Sequence, residues 1–140
     1  MLIVEDSTED FTALSRAFLK HALQNPMLRC EDGDQALDYL LGFGNRSEWP
    51  AALPAIILLD LNMPGTDGRT VLGTLKGNPR LNHIPVIVLT TSSNLKDINE
   101  CYRLGANSYI TKPVDYFALE DKVRLIIRYW LESNELPTLN

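Results

Sequence analysis

Four short apolar runs of this chain end in side chains that can do chemistry. Glu5 and Asp6 follow Met1-Leu2-Ile3-Val4, Asp60 follows Ile56-Ile57-Leu58-Leu59, Thr90 follows Val86-Ile87-Val88-Leu89, and Lys112 with Pro113 follows Tyr109-Ile110. In an open parallel sheet the carboxyl ends of the strands share one edge, where ligands bind in the crevice, so three carboxylates, a hydroxyl and an ammonium are expected to converge. Crowded carboxylates raise one another's pKa unless a cation sits among them. No His or Cys is placed with them, and an all-oxygen donor set suits a hard ion such as Mg2+ far better than zinc or copper. A site of one or two carboxylates and waters leaves positions for phosphoryl oxygens. Lys112 and Thr90 add a charge and a hydroxyl donor suited to the same oxygens. Together these are the parts of a phosphoryl-transfer centre.

The elements that must position these groups alternate along the chain. Strands are expected over 1–4, 27–30, 56–59, 86–89 and 108–110. The run at 56–59 is continuously apolar, as in a strand covered on both faces. The first is short enough to suggest that residues precede it in the native chain. Helices are expected over 7–23, opened by Ser7 as N-cap with Asp10 in the first turn, and over 34–41, 67–77 and 96–104, with a last one starting near Asp115. Phe11, Leu14, Phe18 and Ala22 keep helical spacing in the first. Strands joined by helices imply right-handed crossovers. The expected class is therefore α/β, a flavodoxin-like, doubly wound five-stranded parallel sheet in the order 2-1-3-4-5.

Composition agrees with a single domain. The chain has 140 residues, is 45% hydrophobic and carries a net charge of −5, ordinary for one core. No apolar run is long enough for a membrane span and no basic-start signal peptide is present, so a cytoplasmic location and no membrane partner are expected. Net acidity argues against nucleic acid, whose backbone needs clustered Lys and Arg. Cys30 and Cys101 stand apart and read as reduced, structural residues. His21 and His83 read as surface or loop residues, Trp49 and Trp130 as packing.

In order and spacing, Glu5-Asp6, Asp60-Leu61-Asn62-Met63-Pro64-Gly65, Thr90 and Lys112-Pro113 closely resemble the receiver domain of two-component response regulators. The match runs from Met1 to about Ile127, and 1–132 is expected to be one receiver domain with a tail at 133–140. The resemblance implies Asp60 as phosphoacceptor and Lys112 as the contact to the phosphoryl group. Asp6, Asp60 and the main-chain carbonyl of Asn62 would bind Mg2+, and Glu5 would hold a metal-bound water. Thr90 and Tyr109 would be the switch pair, the hydroxyl moving onto the phosphoryl group and the ring following inward. Asn62 and Ser92 would flank the route of attacking water, and a cis peptide would join Lys112 to Pro113. The partner implied is a sensor histidine kinase, and the domain is a phosphoacceptor switch with its own autophosphorylation and autodephosphorylation chemistry rather than a turnover enzyme.

Each piece has a blander explanation. Asp6 alone reads equally well as a helix cap, and Asp67-Gly68 as a turn. Their conjunction in one order is what is specific. A flavin-binding flavodoxin would share the sheet, but its first loop must cradle a phosphate, which Glu5-Asp6 would repel. An aspartate-nucleophile phosphatase would need a second acid two residues after the nucleophile, where Asn62 stands. A degenerate receiver serving only as scaffold would not retain every chemical residue.

Two further features narrow the resemblance. An extended loop at 42–54, containing Asn45-Arg46-Ser47-Glu48-Trp49-Pro50, together with Leu89-Thr90-Thr91-Ser92 and a long apolar last helix, looks like the single-domain regulators of bacterial and cyanobacterial phytochrome kinases. Nothing after the last helix is long enough for a DNA-binding or enzymatic output domain, so output is expected through protein contact. On that helix, at about 100° per residue, Leu119, Val123, Ile126, Ile127 and Trp130 form the stripe expected to face the sheet. Ala118, Leu125 and Tyr129, with Lys122 among them, form a second stripe, which marks a homodimer interface at the surface of the fourth helix, fifth strand and fifth helix.

Overall fold

The computed structural model describes residues 1–21, 25–42 and 52–138. The apolar runs become strands β1 (Leu2–Val4), β2 (Leu28–Cys30), β3 (Ile57–Leu59), β4 (Val86–Thr90) and β5 (Ser108–Thr111). They pair in parallel in the order β2-β1-β3-β4-β5, the expected flavodoxin-like topology. Ile56, placed in the third strand from its side chain, lies just outside the ladder.

Helices α1 (Thr8–Lys20), α2 (Gly33–Leu41), α3 (Gly68–Gly77), α4 (Leu95–Arg103) and α5 (Tyr116–Ile126) connect and follow the strands. Ser7, Asp32, Asp67, Asn94 and Asp115 cap them, each side chain accepting a first-turn backbone N–H. Such a cap contributes about 1 kcal/mol. The expected end of the first helix, at residues 22 and 23, and most of the 42–54 loop, including Trp49, lie outside the described residues.

Alternation along the strands divides the core in two. Leu2, Val4, Ile57, Leu59, Val86 and Val88 pack with Ala36, Leu40, Val71, Leu72, Leu75 and Cys101, under α2, α3 and α4. Ile3, Leu58, Ile87 and Leu89 pack with Leu14, Phe18, Leu119, Val123 and Ile126, under α1 and α5. Covering both faces leaves the carboxyl edge of the sheet as the place where polar groups collect.

The last helix departs from a uniform 3.6-residue period. After Ile126 the chain widens into a π-helix, Ile127–Ser133, closed by Asn134 N–H donating to Tyr129 O at 2.6 Å. Leu119, Val123, Ile126 and Ile127 are buried as expected, and Trp130 is half-buried with its ring edge-on to Tyr129.

Candidate functional site

The sheet carries its register one residue beyond the strands and so fixes where the polar side chains start. Glu5 N–H donates to Cys30 O (3.0 Å), Asp60 N–H to Val4 O (3.1 Å) and Lys112 N–H to Thr90 O (2.6 Å). Glu5, Asp60 and Lys112 are thereby held by backbone before any side-chain contact is counted. Gly68 lets the loop close on this edge: its N–H donates to Leu61 O (3.0 Å), and a Cβ there would collide with the Asp60 carbonyl oxygen. Gly65, at φ +74°, supplies the left-handed turn between them, a conformation that glycine adopts without strain.

Glu5, Asp6 and Asp60 each offer a carboxylate oxygen within 4.8 Å of the others. Glu5 and Asp60 are buried and Asp6 is exposed, so the cluster is open to solvent on one side. Leu61 N–H donates to Asp60 Oδ1 at 2.8 Å and fixes that carboxylate's orientation. Asn62 lies exposed two residues on. This hard, all-oxygen set with an open side fits a divalent cation.

Lys112 reaches into the cluster from the opposite edge. Its Nζ lies 3.0 Å from both Glu5 oxygens and 3.5 Å from Asp60 Oδ2. Burial, and then the neighbouring Asp60 charge, push the Glu5 carboxyl up to about 8, against the pull of Lys112. Burial works to lower the Lys112 ammonium too, but Asp10, Asp60 and Glu5 outweigh it and hold it above the ordinary lysine value.

Two site residues were not legible as such in the sequence. Asp10, read as a first-turn residue of α1, places Oδ2 at 2.9 Å from Lys112 Nζ. Arg29, in β2, donates from Nε to Glu5 O (3.1 Å) and from a terminal nitrogen to Asp6 O (3.2 Å), clamping the acidic loop. A basic residue in an otherwise apolar strand was the available signal for Arg29; for Asp10, whose partner lies 102 residues away, no local signal was available.

Thr90 and Tyr109 are not in contact with the carboxylates. Thr90 is fully buried, and its hydroxyl has no partner among the described residues. Tyr109 donates its hydroxyl to Ser92 O at 2.8 Å. Ser92, expected beside the route of water, instead turns its hydroxyl onto Asp97 Oδ2 (2.6 Å) and accepts from Asn94 N–H (3.3 Å). Asp97 is held in turn by Arg69 (2.7 Å), which also pairs with Asp67 (3.1 Å) and Glu100 (3.5 Å). The first turn of α4 thus engages the Ser92 hydroxyl through Asp97. Among the described residues no peptide is cis, so Lys112–Pro113 is trans, contrary to the cis bond the resemblance implies. His21 is partly buried, its Nε2 enclosed without a partner among the described residues, while His83 is exposed. Cys30 and Cys101 are both buried.

Comparison with known proteins places this geometry. Residues 1–124 match the response regulator receiver domain family. Response regulator Rcp1 of Synechocystis is 39% identical over 98% of this chain and 92% of its own length. The crystal structure of its Mn2+-bound form superposes with a TM-score of 0.90 and covers 98% of this chain and 97% of that one. The phosphorylated cyanobacterial phytochrome response regulator RcpA gives 0.91 at 38% identity, covering 98% and 96% of the two chains. RPA3017, a response regulator in red light signalling of R. palustris, gives 0.87 at 36% identity, covering 98% and 96%. With this sheet, this acidic edge and these relatives, the chain belongs to the response regulator receiver domains, which act as phosphoacceptor switches.

Proposed function

We propose that Asp60 accepts a phosphoryl group from a phosphohistidine of a sensor kinase, with Mg2+ held by Asp6, Asp60 and the Asn62 carbonyl and Glu5 holding a metal-bound water. The observation that carries this reading is the convergence of Glu5, Asp6 and Asp60 with Lys112 Nζ 3.5 Å from Asp60. An Asp60 oxygen attacks phosphorus in line as the P–N bond to the imidazole breaks, and Lys112 donates to the oxygens that gather charge. Bound Mg2+ supplies the remaining neutralisation of phosphoryl and carboxylate charge. The acyl phosphate later hydrolyses as water attacks phosphorus and the P–O bond to Asp60 breaks, releasing inorganic phosphate and restoring the carboxylate, which makes the domain a timed switch with autophosphorylation and autodephosphorylation of its own.

Once phosphorylated, Thr90 donates its free hydroxyl to a phosphoryl oxygen and Tyr109 leaves Ser92 O to follow it inward, changing the α4, β5 and α5 surface by population shift. The phytochrome relatives support a phytochrome as the kinase, and their near full-length match supports a receiver over 1–132 that signals by protein contact, in the cytoplasm. No described helix is long and apolar enough to cross a membrane. The exposed Leu125 and Tyr129, with Lys122 and the half-buried Ala118, support a homodimer through the last helix. Mg2+-dependent labelling by a small acyl phosphate tests the core of the reading: Asp60→Asn should abolish acid-stable, hydroxylamine-sensitive label with the fold intact, and undiminished labelling would overturn it.

A further inference from the structure

Lys112 is surrounded by more acid than a phosphoryl contact requires. Its nearest partner is Asp10 (2.9 Å), then Glu5 (3.0 Å), and the most distant is Asp60 (3.5 Å). An ammonium has three N–H donors, and charge-assisted N–H to carboxylate bonds are strong near 2.7–2.9 Å. Asp10 and Glu5 thus hold the ammonium more closely than the residue to be phosphorylated does.

The partners also differ in how easily they can let go. The Glu5 side chain is 2% exposed, whereas that of Asp10 is 46% exposed and can trade Lys112 for bulk water more readily. The Asp10 backbone is fixed, its N–H donating to Ser7 Oγ at 3.2 Å, so only its side chain needs to turn. A cavity of about 110 Å3, lined by Asp10, Leu14, Lys112, Pro113, Tyr116 and Leu119, gives it room.

We infer that Asp10 is a positioning residue that holds Lys112 back from Asp60 in the resting domain, competes with phosphoryl oxygens for the ammonium, and so slows phosphorylation. This rests on Asp60 being the acceptor. Phosphorylation exchanges Asp10 for a phosphoryl oxygen at Nζ, and Asp10 returns to water.

The test is the rate of labelling by a small acyl phosphate at saturating Mg2+. Because the Asp10 pair is half exposed and screened, Asp10→Asn should label roughly two- to fivefold faster than wild type. Asp10→Glu should stay near the wild-type rate, and so should Glu9→Gln, which removes an acid from the same helical turn. The acceleration should fade at high salt and vanish when Lys112 is Met. In the unphosphorylated domain, the NMR signal of the Lys112 ammonium should shift in Asp10→Asn and not in Glu9→Gln, a readout independent of the reaction. Undiminished labelling of Asp60→Asn overturns the acceptor reading and this inference with it. Where Asp60→Asn abolishes label, an Asp10→Asn rate at or below wild type, equal acceleration in the Lys112→Met background, or an unmoved ammonium signal overturns the inference alone.

Discussion

Thr90 carries a buried hydroxyl that finds no partner among the described residues, a cost of about 1–3 kcal/mol for a polar group shut away from water. A resting state that bears such a cost is poised to give the hydroxyl an acceptor. Thr90→Val, which keeps the shape, should raise the stability of the metal-free domain by about 1 kcal/mol while leaving Tyr109 on Ser92 O after phosphorylation. Urea denaturation checks the first half, and a loss of stability would contradict it; the ring environment of Tyr109 by NMR checks the second. In the proposed site the acidic pair would divide its labour, Asp6 binding Mg2+ directly and Glu5 through water. Asp6→Ala should weaken Mg2+ binding by more than roughly 100-fold and Glu5→Ala by roughly tenfold, since outer-sphere partners contribute the smaller factor. Calorimetric titration giving equal or reversed losses would reject the assignment.

At the scale of elements, α1 and α5 are tied by Lys20 gripping both oxygens of Glu120 (2.9 and 3.1 Å). That hydrogen bond, ahead of the opposing effect of burial, holds the Glu120 carboxyl below the ordinary glutamate value of 4.5. A carboxyl depressed in the folded state stabilises above its unfolded pKa and loses that contribution as pH falls through the folded pKa. The Tm difference between wild type and Glu120→Gln should therefore be present at neutral pH and disappear in acid below the ordinary glutamate range. A difference that grows on acidification would refute the tether. The loop after β3 offers a second element-scale test. Gly68→Ala sets a methyl against the Asp60 carbonyl and should cost about 1–3 kcal/mol, as overpacking does, with slower labelling of Asp60. A Tm and a rate both equal to wild type would show that the close approach is not needed.

At the scale of the whole molecule, the last helix is the place proposed for assembly. Leu125 is 60% and Tyr129 59% exposed while Val123 and Ile126 on the same helix are buried, so two apolar faces point in different directions. A second copy of the chain is the partner proposed for the outer face. Wild type should sediment as a dimer and Leu125→Asp with Tyr129→Asp as a monomer. Equal monomeric mass for both, with and without phosphodonor, would refute the interface.

The topology was readable in the sequence because a parallel sheet covered on both faces must be built from continuous apolar runs, and the runs ending at Val4, Leu59 and Leu89 have no other use. Its polar termini were readable for the same reason: the residues just past each parallel strand land on one edge. The helix starts were marked by Ser7, Asp67 and Asp115, whose side chains satisfy local backbone groups. Contacts between residues far apart in the chain were not visible. That Asp10 would hold Lys112 and that Arg29 would clamp the Glu5 and Asp6 carbonyls each depends on groups brought together only once the sheet has formed. The widening of the last helix beyond Ile126 was equally hidden, since a pattern laid out at constant period cannot register an added residue per turn. Local pattern determined the architecture and the edge where chemistry can occur. The tertiary structure alone decided which partner each charge at that edge would take.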